Sequence, residues 1–229
     1  MGPEQLGYLS RINLFADLDP ESLARIEGVS PMVTVPRGTV LVRPDEPPAA
    51  LYLLKRGRVR LYRHDPHGRV LTLALLGDGN VFGSSDAMAL GSDDMTAETL
   101  EPSVVCAMRR RDLERLLREH PQVGMRLISV LGQRVRELEE LVVSLAHEDV
   151  RQRLLRALIR LAEDFGDAGG GLARLSVGLT HEDLASMVGS TPETVSMTLA
   201  RLAEDGVVRT GRRELAVDVV RARELLGAQ

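Results

Sequence analysis

The sequence contains a single cysteine, Cys106, in 229 residues. One thiol can form no disulfide within the chain, and it cannot supply the several ligands of an iron–sulfur cluster or a four-cysteine zinc site. Tryptophan is absent and aromatic residues make up only 3% of the chain, which argues against a carbohydrate-binding groove. No apolar run approaches the roughly 20 residues of a membrane span, and residues 1–10 lack the pattern of a signal peptide. We therefore expect a cytoplasmic protein without membrane contact.

Charge and composition exclude further classes of protein. Lys and Arg total 29 and Asp and Glu total 33, so the formal net charge is -4. A slightly acidic chain does not coat nucleic acid through bulk charge, although a local reading surface remains open. The five histidines are scattered rather than clustered with carboxylates, so a cupin-like metalloenzyme is not indicated. With no nucleophile–base pair recognisable either, we expect no metal and no enzymatic activity.

Short β-rich runs fill the region from about residue 30 to residue 108. Turn residues, mostly Gly and Pro, separate them about every ten residues, which is typical of an antiparallel sandwich or barrel. Ahead of this region, Asp19 and Pro20 predict the start of a helix. Cys106 lies on the last run, where its apolar neighbours predict a buried structural thiol. The runs are Met32–Val35, Thr39–Val42, Leu51–Leu54, Val59–Tyr62, Val70–Leu75 and Ser103–Met108.

A long helix is predicted over about 122–146. Its apolar positions alternate in steps of three and four residues, with β-branched residues at one position of the heptad and Leu at the other. This pattern favours a parallel two-stranded coiled coil, although a helix could also bury such a stripe on its own domain. Leu127 and Leu141 lie beside the stripe and could cover the β domain. The predicted dimer seam consists of Ile128, Leu131, Val135, Leu138, Val142 and Leu145.

Residues 180–206 carry the most specific pattern in the chain. Thr180 and Asp183 form the sequence of a near capping box, Gly189 supplies a turn, and Thr191 with Pro192 begins a second helix over about 191–204. This is a helix–turn–helix whose second helix can enter a DNA major groove; an ordinary helical hairpin is the alternative. The predicted buried stripe of the second helix is Val195, Leu199 and Leu202. A helix over about 149–165 and a Gly-rich loop over 166–171 precede the motif, and a β-hairpin turning near 210–212 follows it.

The chain resembles the Crp/Fnr family of bacterial transcription regulators over nearly its whole length. The resemblance rests on the Leu14–Leu18 segment, the long helix, the Glu-Thr-Val-Ser segment at 193–196, and the glycines Gly38, Gly57, Gly77 and Gly83. It implies an α+β protein with an N-terminal antiparallel, jelly-roll-like β-roll sensor domain at 1–120. A dimerisation helix and hinge at 121–147 and a winged helix–turn–helix domain at 148–229 would follow. It also implies RNA polymerase as a partner.

The chemistry of DNA recognition assigns roles on the second helix. Glu193 can accept a hydrogen bond from cytosine N4, and the hydroxyl of Ser196 can either donate a hydrogen bond to a base or accept one. Met197 stands where the family usually has Arg, and it offers only apolar contact. Phosphate contacts position the protein without reading sequence. We expect them from Arg151, Thr180, His181, Thr191, Thr194, Arg201 and Arg212. A twofold homodimer would bind promoter DNA at an inverted repeat.

The effector pocket that the resemblance implies is degenerate in this sequence. In cyclic-AMP-binding relatives a Gly-Glu segment binds the ribose, a later Arg-Ser pair binds the phosphate, and Thr and Ser on the dimer helix meet adenine. Here Ser84 replaces the Glu, Asp94 and its neighbours replace the pair, and the Asp93–Asp94 charges would repel a phosphate. The positions concerned are Gly83, Ser84, Ser85, Met95, Thr96, Leu138 and Glu139. We therefore disfavour ordinary cyclic AMP binding. We also expect no heme, because His64 and His67 lie in a turn, and no other cofactor.

Two functions remain open from sequence. The favoured one is a homodimeric, sequence-specific DNA-binding transcription regulator that does not depend on ordinary cyclic AMP binding. The alternative is a ligand-binding β-roll that acts through protein contacts and carries a degenerate DNA domain, which Pro192 and Met197 would explain. Salt-dependent binding to promoter DNA separates the two.

Overall fold

The computed structural model describes residues 13–15, 18–29, 32–44, 49–85, 88–90, 94–169, 172–175, 178–211 and 214–227. The chain divides into two compact units. The first comprises residues 1–63 and 74–137, and the second comprises residues 64–73 and 138–229. The boundary at residue 138 falls within one long helix, and the domain limits expected from sequence remain a prediction.

The first described elements of the first unit are a 3-10 turn, Asn13–Phe15, and the helix α1, Pro20–Val29. The sequence predicted this helix start from Asp19. The carboxylate of Asp19 accepts hydrogen bonds from the backbone N–H of Ser22 at 2.9 Å and from its hydroxyl at 2.7 Å. These two bonds hold the pKa of Asp19 below its ordinary value, as expected for a carboxylate at a helix N-terminus.

In the described part of the chain, nine strands then form two antiparallel sheets, as predicted for the β-roll. One sheet has the order β1-β9-β3-β6-β7 and the other the order β2-β8-β4-β5. All six predicted runs are strands, and the sequence missed β6 to β8. The strands are β1 Met32–Val35, β2 Val40–Val42, β3 Ala49–Arg56, β4 Val59–His64, β5 Val70–Leu76, β6 Val81–Ser85, β7 Met88–Leu90, β8 Thr96–Thr99 and β9 Ser103–Met108.

Two helices follow the sheets, α2 at Arg110–Glu119 and α3 at Pro121–His147. Leu127 of α3 is buried in an apolar cluster that includes Leu51 and Leu53 of β3, which confirms its expected role beside the β domain. The same cluster contains Cys106 at 1% exposure. Cys106 is therefore a buried thiol and, as the one cysteine of the sequence, it forms no disulfide within the chain.

Most of the predicted dimer seam on α3 is open to solvent in the single chain. Four of its six residues are exposed, and Leu131 and Leu145 are half-buried. The exposed fractions are 61% for Ile128, 55% for Val135, 37% for Leu138 and 65% for Val142. A stripe of exposed aliphatic side chains along one helix is the feature that a partner helix would cover.

From residue 150 onward, the described residues of the second unit form four helices and a four-stranded antiparallel sheet with the order β10-β11-β13-β12. Together with the β-roll, this makes the chain mixed α+β, as predicted. The elements from residue 150 onward are α4 Val150–Phe165, β10 Gly166–Gly169, β11 Leu172–Leu175, α5 His181–Val188, α6 Pro192–Glu204, β12 Val208–Gly211, β13 Glu214–Val217 and α7 Val219–Gly227.

Two local expectations in this unit need correction. The predicted Gly-rich loop is wrong at its start, because Gly166–Gly169 forms strand β10 and pairs with β11. Gly166 follows directly on helix α4, and a side-chain Cβ there would lie 2.3 Å from the carbonyl oxygen of Ala162. The glycine is therefore required by close packing at the helix end. Helix α7 was not expected from sequence at all.

Candidate nucleic-acid interface

Helix α5 begins with the capping box that its sequence predicted. The hydroxyl oxygen of Thr180 accepts the backbone N–H of Asp183 at 3.1 Å, and the Asp183 carboxylate accepts the backbone N–H of Thr180 at 2.8 Å. The Thr180 hydroxyl also donates to that carboxylate at 2.7 Å. Thr180 must therefore turn its proton away from Asp183 before it can donate to a phosphate. His181, the next residue, is exposed.

The turn between the two helices is fixed by a glycine and an arginine. Gly189 adopts the left-handed conformation, with φ 59° and ψ 50°, and a Cβ there would lie 3.0 Å from Cδ2 of Leu145. Arg153 donates through Nε to the carbonyl of Val188 at 2.7 Å and through Nη1 to the carbonyl of Glu148 at 2.6 Å. The last carbonyls of a helix have no partner within it, so Arg153 satisfies the end of α5. Sequence reasoning missed Arg153, because backbone acceptors carry no sequence signal.

Helix α6 begins at Pro192, directly after its cap Thr191. The Thr191 hydroxyl oxygen accepts the backbone N–H of Thr194 at 3.3 Å, and the two hydroxyl groups lie 3.1 Å apart. Pro192 costs no hydrogen bond at the first helical position. The predicted buried stripe is confirmed, with exposures of 0% for Val195, 3% for Leu199 and 0% for Leu202.

The opposite face of α6 gathers the three predicted base-reading residues. Glu193, Ser196 and Met197 are all exposed, and 59% of the Met197 side chain is accessible. Their spacing of three and four residues places them on one helical face. Ala200 and Arg201 extend the same exposed face. Ala200 was not singled out from sequence because a methyl group has no distinguishing chemistry, although its small size permits close approach to another surface.

Glu193 is engaged at the start of its own helix. Its carboxylate accepts hydrogen bonds from its own backbone N–H and from the Thr191 hydroxyl, which hold the pKa of Glu193 below its ordinary value. The side chain is therefore ionised near neutral pH and can accept hydrogen bonds. A contact with cytosine N4 would have to compete with these bonds at the helix N-terminus.

The predicted cations around the motif lie in different surroundings. Arg151, in the first turn of α4, donates through Nη2 to Oδ2 of Asp205 at 2.7 Å. Arg201 is exposed on α6, and Arg212 lies outside the described residues. Arg209, exposed on β12, is a further cation on the hairpin after α6 that sequence reasoning did not select.

The geometry defines a class of protein: a β-roll joined through a long helix to a helix–turn–helix with a following β-hairpin. The profile of the cyclic nucleotide-binding domain matches residues 32–120, and that of the Crp-like helix-turn-helix domain matches residues 152–226. The chain is 30% identical to the CRP-like cAMP-activated global transcriptional regulator of Mycobacterium tuberculosis, over 88% of this chain and 90% of the relative.

A second relative, the cyclic AMP receptor protein of Thermus thermophilus, is 34% identical over 86% of this chain and 88% of its own length. A solved structure of a CRP/FNR-family transcriptional regulator from the same organism superimposes with a TM-score of 0.70 at 27% identity, covering 86% of this chain and 98% of that one. The chain belongs to the Crp/Fnr family of transcription regulators, whose members are regulators and not enzymes.

The positions expected to form a degenerate effector pocket lie mainly in the β-roll. Gly83 of β6 has φ +96°, and a Cβ there would lie 2.8 Å from the Ala50 carbonyl oxygen. Met95 is 3% exposed and belongs to an apolar cluster with Phe82 and Leu61. Met95 therefore packs among apolar residues, at a position where the resemblance implies a polar side chain in cyclic-AMP-binding relatives.

The sequence predicted that Asp94, just before β8, would repel a phosphate, but in the structure Asp94 has a basic partner. Asp94 forms an ion pair with Arg63 at the end of β4, and about half of each side chain is exposed. The arginine offsets the repulsion that Asp94 alone would exert on a phosphate. Thr96 is 5% exposed; the side chains of Ser84 and Ser85 lie outside the described ones. Glu139 is exposed on α3, as is Leu138.

Among the residues that the structure describes, no group of three or more His, Cys, Asp or Glu side chains is placed to hold a metal ion. None of the helices that these described residues form combines the length and the apolarity needed to cross a membrane.

Proposed function

We propose that this protein is a homodimer that binds promoter DNA sequence-specifically, with α6 in the major groove. The observation that carries the proposal is the exposed face of α6, where Glu193, Ser196 and Met197 stand on one side of a helix anchored by three buried aliphatic residues. Side chains near the start of such a helix reach base edges. The exposed seam of α3 supplies the symmetric contact that a C2 dimer requires.

The residues proposed from sequence to contact phosphates differ in how close they lie to α6, the helix placed in the major groove. Thr191 and Thr194 lie at the start of α6 and Arg201 lies on its exposed face, where each can meet the DNA backbone. Thr180 and His181 lie at the start of α5. Arg151 contributes only as far as its ion pair with Asp205 permits, and Arg212 stays a proposal from sequence alone.

We infer further that ordinary cyclic AMP binding does not control this regulator. Two relatives carry cyclic AMP in their names, but Met95 is buried among apolar residues at one expected contact. Ser84, Leu138 and Glu139 stand at other expected contacts. DNA binding by this regulator is then controlled by another effector or by the amount of protein. Contact with RNA polymerase and action in the cytoplasm are proposed from the family alone.

The test of this function is base preference at Glu193. Glu193→Ala should remove discrimination at one base pair of each half-site, worth about 1–3 kcal/mol, whereas affinity for unrelated DNA should hold or rise. Binding to a set of duplexes, each changed at one base pair, measures this. A control is Glu182→Ala, an exposed carboxylate on α5, which should leave base preference unchanged.

A different result would contradict base reading by Glu193. If Glu193→Ala lowers only the melting temperature and leaves every base preference as it was, Glu193 serves the helix start through its backbone and Thr191 contacts. In that case α6 does not read DNA through this residue. Absence of salt-dependent binding to any duplex would favour the alternative function, a β-roll that acts through protein contacts.

A further inference from the structure

An ion pair joins the first turn of α4 to the end of α6. Nη2 of Arg151 lies 2.7 Å from Oδ2 of Asp205, and the two side chains are 33% and 44% exposed. Asp205 is the C-cap of α6, and Arg151 is the second residue of α4. A negative charge at a helix C-terminus and a positive charge at an N-terminus both oppose the helix dipole. Neither charge is therefore explained by the stability of its own helix.

The position of the pair relates it to DNA. Helix α6 has 13 residues and is therefore about 20 Å long, whereas the major groove is about 12 Å wide. If α6 lies across the groove with Glu193 towards its floor, a helix longer than the groove is wide passes the groove edge, and its opposite end then lies near a phosphate backbone. An unpaired Asp205 would be repelled there. A free Arg151 at the same place could contact a phosphate.

We propose that Asp205 competes with DNA phosphates for Arg151 and thereby limits the affinity of the protein for DNA of any sequence. This inference rests on the proposed function. A guanidinium group has five N–H donors, so a phosphate can share or displace the carboxylate. Exposed ion pairs are weak, which keeps the exchange reversible. Because every sequence offers phosphates, the competition changes overall affinity and leaves base preference to the exposed face of α6.

The experiment compares two carboxylates that lie next to each other. Asp205→Asn removes the partner of Arg151, whereas Glu204→Gln removes the same charge from the adjacent exposed position. The affinity of each full-length variant for a random-sequence 30-base-pair duplex is measured by fluorescence anisotropy between about 50 and 200 mM salt. We expect Asp205→Asn to bind about two- to fivefold more tightly than Glu204→Gln. The salt slope should steepen by up to about 0.9 per protomer.

The dependence on Arg151 is tested with a third and a fourth variant. Adding Arg151→Ala to Asp205→Asn should abolish the gain, so that the double variant binds no more tightly than Arg151→Ala alone. Equal affinity and salt slope for Asp205→Asn and Glu204→Gln would overturn the inference. So would a loss of stability in Asp205→Asn without any change in DNA affinity, because the pair would then only join two helices. Wild-type protein that binds no duplex would instead contradict the proposed function itself.

Discussion

The hydroxyl groups of Thr72 and Ser186 lie 2.7 Å apart in a buried position, although 114 residues separate them in sequence. Both residues belong to the second compact unit. The Ser186 hydroxyl donates its proton to the carbonyl of Asp183 at 2.7 Å. A hydroxyl has one proton to give, so Thr72 is the donor in the shared bond. Thr72, in the part of β5 that belongs to the second unit, is thereby bonded to helix α5.

This bond predicts a coupling between the two residues. Thr72→Val and Ser186→Ala should each destabilise the protein, and the double variant should lose less than the sum of the two, by about 0.5–1.5 kcal/mol. Urea denaturation of the four proteins, followed by circular dichroism, measures the coupling. Additive effects would show that the bond is not formed in solution.

The exposed seam of α3 predicts a dimer that one charge can weaken. Leu138→Glu places a carboxylate against the partner helix and should weaken dimerisation more than tenfold, about 1.4 kcal/mol, with a matching loss of DNA affinity. Sedimentation equilibrium measures the association. The control is Val143→Glu, which changes an equally apolar residue of the same helix, 58% exposed, outside the heptad seam. A wild-type protein that is monomeric at micromolar concentration would reject the seam.

The replaced effector contacts predict a weak response to cyclic AMP. A ligand shifts an equilibrium only by its differential affinity for the two states. Without the charged anchors, cyclic AMP should change DNA affinity less than tenfold, about 1.4 kcal/mol. Calorimetric titration of the full-length protein checks binding directly. Tight binding would mean that other groups, such as backbone amides after Gly83, or Arg63 beside Asp94, hold the phosphate.

Glu148, between α3 and α4, predicts a pH-dependent contribution to stability. Arg156 donates through Nε to its two carboxylate oxygens at 3.0 and 3.3 Å, and the hydroxyl of Ser144 also donates to it. The bond from Arg156, followed by that from Ser144, holds the pKa of Glu148 below its ordinary 4.5. A lowered pKa in the folded state adds stability above the unfolded pKa, and this stability is lost as the pH falls through the folded pKa.

Glu148→Gln should therefore lower the free energy of unfolding by about 0.5–1.5 kcal/mol at pH 7, because Arg156 is half-exposed and solvent screens the ion pair. The difference from wild type should narrow once the pH falls below about 4.5. Denaturation at a series of pH values measures it, with Glu139→Gln, an exposed carboxylate of α3, as the control. A difference that stays constant down to pH 3 would mean that the charge of Glu148 contributes nothing.

Local signals explain what the sequence predicted. Thr180, Gly189 and Thr191 act on backbone groups within a few residues, and the heptad and the buried stripe of α6 follow from helical periodicity. These features were recognisable without tertiary structure. Strand β6 was missed because Gly83 and its polar neighbours interrupt the alternation by which a strand is recognised. Strands β7 and β8 have only three and four residues, too few to show that alternation clearly.

Contacts between residues far apart in the chain could not be predicted from the sequence. Arg153 and the Val188 carbonyl are 35 residues apart, and Arg151 and Asp205 are 54 apart. Arg151 was expected to contact a phosphate, and its carboxylate partner Asp205 is recognisable only once α4 and α6 are packed together. The same holds for Arg63, which offsets the charge of Asp94.

The most direct test of the central claim is selection of bound duplexes from a pool of random DNA by the full-length wild-type protein. A homodimer that reads bases through α6 should enrich an inverted repeat whose half-sites lie about one helical turn, 10–10.5 base pairs, apart. Recovery of duplexes with no shared sequence, or of a single asymmetric site, would contradict the account.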